Sequence, residues 1–327
     1  MSGARPADGL EALKERLLAG DTRALARAIS LVEGGGDAGR QVAQLTFTHA
    51  GSALVLGVTG VPGAGKSTLV DGLATLYRKA GERVGVVAVD PSSAFSGGAI
   101  LGDRIRMQHH TSDPGVFIRS MATRQHLGGL AEATPAVVDL IDAAGHRRIL
   151  IETVGVGQDE IEVIEMAHTV AVALVPGLGD DVQAIKAGIL EIADVFVINK
   201  SDREGADRLQ KELESLRGMV ERPEGEWVPP IVRTVATTGE GIEELRAAIE
   251  QHAEDPRSQP RRQERLRQAW ARRLRGLLDE GLWSRLLEAM PLSQEMDGLV
   301  AEIAARRRDP FSVAEAILRR VRLKAGK

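Results

Sequence analysis

The stretch GVPGAGKS, Gly60 to Ser67, constrains this chain more than any other feature. It matches G-x-x-x-x-G-K-[ST], and it stands where the mechanism of that pattern needs it: after an apolar run from Leu54 and before a stretch with helical periodicity. Gly60, Gly63 and Gly65 let the backbone wrap closely around an anion, with Val61, Pro62 and Ala64 completing the loop. Successive N–H groups and the positive end of the following helix then point at phosphates. Lys66 is expected to reach the β- and γ-phosphates, Ser67 to offer its hydroxyl to Mg²⁺, and Thr68 to contact the α-phosphate.

A cradle of this kind sits on a parallel sheet, and the chain supplies one. Short runs that are apolar throughout occur at LVLGV (54), VGVVAV (84), RILIE (148), VAVALV (170), VFVI (195) and IVRTV (231). Unbroken apolarity suits strands covered on both faces. Crossover helices are expected after Lys66, Leu127, Val182, Asp207 and Gly241. The predicted fold is α/β: a P-loop NTPase with a mostly parallel sheet flanked by helices, plus an N-terminal helical extension and a C-terminal helical arm. The expected boundaries are 1–48 for the extension, broken at Gly34 to Gly36, then 49–253 for the nucleotide domain and 254–327 for the arm. The polar stretch EDPRSQPRRQ reads as a linker, and beyond it Leu266, Trp270, Leu274, Leu277, Leu278 and Leu282 recur at helical spacing.

Guanine is chosen over adenine by NKSD, Asn199 to Asp202, at the end of an apolar strand. An ionised Asp202 accepts two parallel hydrogen bonds from N1–H and the exocyclic amine of guanine, an arrangement adenine lacks. Lys200 is expected to lay its stem on the ring, and Asn199 to tie this loop to the cradle. The later VATTG, beginning at Val235, fits a second base-contacting loop, with the backbone N–H of Ala236 or Thr237 donating to guanine O6.

Two strands end in acids, Asp90 and Glu152, at the carboxyl edge where open α/β sheets bind ligands. Both are candidates for holding Mg²⁺ or its waters, and Asp103 is a third. Gly155 is expected to offer its N–H to the γ-phosphate and move on hydrolysis. Phosphoryl transfer to water needs positioning and charge stabilisation rather than a protein nucleophile. The expected catalytic set is therefore Lys66, Glu152 and Gly155, with Gln158, Asp159 or a backbone group orienting the water. Any of Arg104, Arg106, Arg119 and Arg124 could reach the phosphates.

Composition narrows the rest. With no Cys there is neither a disulfide framework nor a thiolate metal site. No signal-peptide core and no long apolar run appears, so a cytoplasmic location without membrane contact is expected. Residues 256–327 carry 17 Lys and Arg against 9 Asp and Glu, a charge of +8, on a chain whose net charge is −4. With three Trp, one Tyr and five Phe to stack on bases, that basic region reads as solvated helix faces rather than a nucleic-acid surface.

Taken together, GVPGAGKS, AVDPSS, ETVGVGQ, PGLGDDVQAIKAG and NKSD resemble the methylmalonyl-CoA mutase-associated GTPases of the MeaB/ArgK family. The resemblance implies a homodimeric GTP-hydrolysing chaperone. It would bind adenosylcobalamin-dependent methylmalonyl-CoA mutase, gate the loading of its cofactor and protect it from inactivation. It implies dimerisation through the C-terminal arm and a further switch at Gly177 to Lys186, with Asp180, Asp181, Gln183 and Lys186 coupling nucleotide state to the mutase. Two departures stand out: Gln125 where the family pattern has Gly, and VATTG in place of the commoner Ser-Ala form. Rival readings are a metal-delivery GTPase, for which this chain offers seven scattered His with only His109 and His110 adjacent, and a GTP-dependent kinase of a transport protein.

Overall fold

All six apolar runs form strands, and a seventh strand joins them. The computed structural model describes residues 6–90, 110, 112–122, 133–153, 166–177, 192–219, 223–289 and 292–320. Asp103, Arg104, Arg106, Arg124, Gln125, Gly155, Gln158, Asp159, Asp180, Asp181, Gln183 and Lys186 lie outside the described residues, as does the side chain of Asp90.

Three helices come first: α1 (Pro6–Leu18), α2 (Thr22–Gly34) and α3 (Gly36–Phe47). The break expected at Gly34 to Gly36 is present, with Gly35 and Gly36 both at positive φ. There follow β1 (Leu54–Gly60), α4 (Lys66–Lys79), β2 (Val84–Asp90), β3 (Val116–Ala122), α5 (Ala133–Ala143), β4 (Arg148–Thr153), β5 (Thr169–Leu174), β6 (Val195–Asn199), α6 (Ala206–Met219), β7 (Ile231–Thr234) and α7 (Ile242–Glu254). The seven strands form one sheet in the order β3-β2-β4-β1-β5-β6-β7, and every described pairing is parallel. The carboxyl ends therefore share one rim, with β1 central. Register sets Val58 opposite Glu152, and Gly60 opposite Ala173.

The strand that sequence alone did not show is β3, VFIRSMA, at the sheet's edge. Arg119 and Ser120 interrupt its apolar run, which an edge position tolerates. Arg119 is paired with α2: its Nε donates to Glu33 Oε1 at 2.8 Å, and its Nη2 pairs with the other carboxylate oxygen. That ion pair fastens the N-terminal helices to the sheet.

Helix α5 shows why the chain needs those helices. Ten of its residues are buried, on all sides of the helix. One side packs on β2 and β4, and the other is covered by α2 and α3. A helix apolar all round needs two apolar neighbours, and Leu17, Leu25, Ala28, Ile29 and Val42 supply the second. Each fully buried Leu or Ile contributes about 1.5–3 kcal/mol. Asp142 of α5 then accepts the backbone N–H groups of Gly51, Ser52 and Ala53 at 2.6, 2.9 and 3.1 Å, fixing the entry into β1.

The polar stretch read as a linker is helical from Pro256. Asp255 accepts the N–H of Arg257 at 2.8 Å and starts a 3₁₀ turn (Pro256–Ser258), which runs into α8 (Gln259–Ala289). Two compact units result, Met1–Ala269 and Trp270–Lys327. The second holds the rest of α8, α9 (Leu292–Ala304) and α10 (Pro310–Arg320). Among the described residues no helix is long and apolar enough to cross a membrane.

Candidate nucleotide-binding site

The loop between β1 and α4 has its shape because two glycines admit neighbouring strands and loops. Gly60, at φ 137°, lies so close to β5 that a Cβ would fall well inside contact of the Ala173 carbonyl oxygen. Gly65 is left-handed at φ 83°, and a Cβ there would stand 2.5 Å from Asn199 Nδ2. Val61 and Ala64 are buried, while Pro62 and Gly63 are exposed at the tip. Helix α4 opens at Lys66, with the first intrahelical bond from Leu69 N–H to Gly65 O at 3.0 Å, so the preceding amides face out of the helix end. Lys66 is buried, and its Nζ donates to the carbonyls of Gly60 and Val61 at 2.9 and 3.1 Å, which curls the ammonium over the loop.

The NKSD loop touches this cradle directly. Asn199 is 2% exposed. Its Nδ2 donates to Ala64 O at 2.7 Å, and its Oδ1 accepts from Thr234 Oγ1 and from the N–H of Ala236, both at 3.1 Å. One side chain thus joins three loops from three strand ends. Lys200 adopts a left-handed φ of 57°, and its Nζ donates to Gly63 O at 2.9 Å. Ser201 N–H donates to Thr234 O at 3.1 Å, and Arg203 N–H closes a tight turn onto Lys200 O at 3.0 Å. Asp202 is exposed within that turn. In the last loop Val235 N–H donates to Glu240 O at 2.9 Å, and Thr237 is exposed.

On the other side of the cradle, Glu152 is 3% exposed and its Oε1 accepts a 2.5 Å hydrogen bond from Ser67 Oγ. Behind it, Thr153 Oγ1 donates to Thr59 Oγ1 at 3.1 Å, joining the ends of β4 and β1. Strand β2 brings the backbone of Asp90 to the same rim, one position past the Val89–Thr153 pairing. Gly177, at φ 95°, follows β5 at this rim. His110 is buried against α4, with Nε2 3.3 Å from both Asp71 Oδ1 and Thr75 Oγ1. No group of three or more His, Asp or Glu is placed to hold a metal ion by itself among the described residues. The pairing of a hydroxyl with a carboxylate does fit Mg²⁺, which takes a few oxygen ligands from protein and the rest from phosphate and water.

Thr234, Thr59 and Thr153 are the site residues that sequence reasoning missed. The available signal was a polar residue closing an otherwise apolar strand, the same signal that marked Asp90 and Glu152.

The geometry is that of a guanine-nucleotide cradle, and comparison with known proteins names its lineage. The family model described as Methylmalonyl Co-A mutase-associated GTPase MeaB matches residues 25–291. The chain belongs to the MeaB family of GTPases. A relative from Pyrococcus abyssi is 46% identical over 315 residues, covering 95% of this chain and 97% of that protein. GTPase ArgK of Escherichia coli is 38% identical over 241 residues, covering 72% of this chain and 73% of ArgK. A solved structure, that of a LAO/AO transport system kinase, superposes with a TM-score of 0.69 at 28% identity over 97% of this chain and 99% of that one. As a MeaB-family protein the chain is a P-loop GTPase that binds guanine nucleotide, in a family associated with methylmalonyl-CoA mutase.

Proposed function

We propose that this MeaB-family GTPase is a nucleotide-driven chaperone of an adenosylcobalamin-dependent methylmalonyl-CoA mutase, gating cofactor loading and protecting the loaded enzyme. The observation that carries the nucleotide half is Asn199, which ties the phosphate loop at Ala64 to both base-side loops. A site so cross-linked presents its donors with little reorganisation on binding. Asp202 takes the N1–H and amine edge of guanine. Because Asn199 holds the Ala236 N–H, Thr237 supplies the donor to O6.

Ser67 and Glu152, with Asp90 and Asp103 as further candidates, would hold Mg²⁺ or its waters. Bound there, the ion would supply positive charge to offset that of the phosphates. Lys66 swings from the Gly60 and Val61 carbonyls onto those phosphates, and Gly155 offers its N–H to the γ-phosphate. Release of that contact on hydrolysis would reach the mutase through Gly177, Asp180, Asp181, Gln183 and Lys186.

For the arm (254–327), we propose a homodimer contact. Leu278, Leu282, Trp283, Leu318 and Phe311 are exposed, Phe311 at 84%. Of these, Leu282, Trp283 and Leu318 line an apolar groove of about 440 Å³ between α8, α9 and α10. A second copy buries such a face.

The test is capture of mutase on the immobilised chain with a non-hydrolysable GTP analogue and with GDP, together with turnover in its presence. Nucleotide-dependent retention and faster hydrolysis are expected, and retention indifferent to nucleotide would refute the chaperone reading. Transfer of label from GTP to a protein acceptor would point to the kinase alternative instead.

A further inference from the structure

We infer that Arg265 and Asp194 form a positioning device that couples the root of α8 to the guanine loop through β6; this rests on the nucleotide-site reading above. Strand β6 has five residues, all buried, and spans about 17 Å. Both its ends are pinned. At the carboxyl end Asn199 holds Ala64, Thr234 and Ala236. At the amino end stands Asp194, 2% exposed. Its N–H donates to Val170 O, and its Oδ2 accepts from Val170 N–H, each at 2.9 Å. Its carbonyl accepts Trp227 Nε1, also at 2.9 Å, and its Oδ1 lies 3.4 Å from His252 Nε2.

Arg265 enters this cluster from the first turns of α8. Its side chain is 10% exposed, and a single nitrogen, Nη2, serves three acceptors: Asp194 Oδ2 at 2.9 Å, Ala167 O at 3.1 Å and His168 O at 3.2 Å. Its Nε and Nη1 are buried with no acceptor among the described residues. A buried cation with two idle nitrogens is a poor way to gain stability, since an apolar side chain of similar volume does as well or better. What the cation adds is direction. Three acceptors on the segments entering β5 and β6 fix where α8 starts, and neighbouring bonds complete the fixture. Arg262 Nη1 donates to Ala253 O at 3.0 Å, Ser258 Oγ donates to His252 O at 2.7 Å, and His252 Nδ1 meets Thr169 Oγ1 at 2.8 Å.

A stiff strand fastened to the base-side loops at one end and to the root of α8 at the other makes ordering at either end favour ordering at the other. The coupling is reciprocal. Guanine nucleotide on Asp202 and Thr237 quiets the root of α8, and loosening that root weakens nucleotide binding.

The experiment is hydrogen–deuterium exchange on the full chain with and without GDP, following peptides over 259–269, alongside titration with a fluorescent GDP analogue. In the wild type GDP slows exchange in these peptides. In the double variant Asp194→Asn/Arg265→Met, which removes both charges, that response disappears and the GDP dissociation constant rises roughly 2- to 30-fold. Should the double variant fail to fold, Arg265→Lys serves, keeping a charge near Asp194 but losing acceptors, with an intermediate response expected. Slowing that persists undiminished in the variant, or a wild-type α8 root indifferent to bound GDP, overturns the coupling. A wild type that binds no GDP at all would remove the nucleotide-site reading, and the coupling with it.

Discussion

Gly65 and Asn199 hold each other in place, and a double-mutant cycle measures how strongly. In Gly65→Ala the backbone stays at φ 83°, a conformation that costs an L-residue about 1–2 kcal/mol. The new Cβ also stands 2.5 Å from Asn199 Nδ2, with no other atom closer than 3.8 Å. Asn199 cannot retreat cheaply, because its amide makes three hydrogen bonds, to Ala64, Thr234 and Ala236. Relieving the contact sacrifices at least the bond to Ala64 O, a further loss of about 1–3 kcal/mol for a buried group. The single substitution should therefore destabilise by roughly 2–5 kcal/mol. In an Asn199→Ala background the clash is gone and only the backbone cost of about 1–2 kcal/mol stays, so the pair couples by about 1–3 kcal/mol. Urea unfolding is followed by Trp227, which is buried in the first unit, after Trp270→Phe and Trp283→Phe silence the other two tryptophans. Effects that add to within about 0.5 kcal/mol would show that the glycine is not required by Asn199, and the account of the cradle's packing would fail.

Other consequences are simpler to read. Asp202→Asn should weaken GTP binding by orders of magnitude and favour xanthosine triphosphate, whose C2 carbonyl accepts the amide; unchanged GTP affinity refutes the base assignment. Glu152→Gln should cut hydrolysis by roughly 10²-fold while leaving magnesium-free GDP binding intact, and equal losses in both would make Glu152 a structural residue. His146 is buried, and burial, aided by Arg83 and Arg78, pushes it down to about 4 from an ordinary 6.5 against the opposing bond to Ile141 O. Being neutral when folded and readily protonated when unfolded, it supports stability fully above about pH 6.5. That support is lost as pH falls towards 4, by at most on the order of 3 kcal/mol. His146→Asn should flatten the urea midpoint between pH 7 and 4.5, and an unaltered slope would refute the assignment. Leu278→Glu/Leu282→Glu should convert a dimer to monomer in sedimentation without altering the GDP dissociation constant.

The phosphate and guanine loops were legible because each is a contiguous run whose residue types are fixed by what the backbone must do. Gly60 to Ser67 and Asn199 to Asp202 needed only a strand before them, and apolar runs announce strands. Strand β3 escaped because an edge strand can carry Arg119 and Ser120 among its apolar residues. Arg119 illustrates the harder loss: a charged residue advertises its chemistry but not its partner. Glu33 is 86 residues away in sequence, and only the packing of α2 on the sheet brings the two together. The basic residues after Ala253 escaped for the same reason: Arg262, inside the polar stretch, and Arg265, just beyond it, read as solvated until the Ala253 carbonyl and the amino-end edge of β5 and β6 are known to lie beside them.

Strand polarity supplies the ordering that composition lacks. In a parallel sheet all carboxyl ends lie together, so an acid closing an apolar run, such as Glu152, stands at the ligand rim. An acid that opens one, such as Asp194 before VFVIN, is carried to the opposite edge, where no ligand neutralises it and the sheet's own helices must. The two kinds of carboxylate look alike in composition and differ only in which side of the apolar run they occupy. At the ligand rim Glu152 meets Ser67 of the phosphate loop, and at the far edge Asp194 meets Arg265 of α8. The five residues of β6 join that second anchor to Asn199, so the strand that carries the guanine loop also carries the anchor of the first turns of α8.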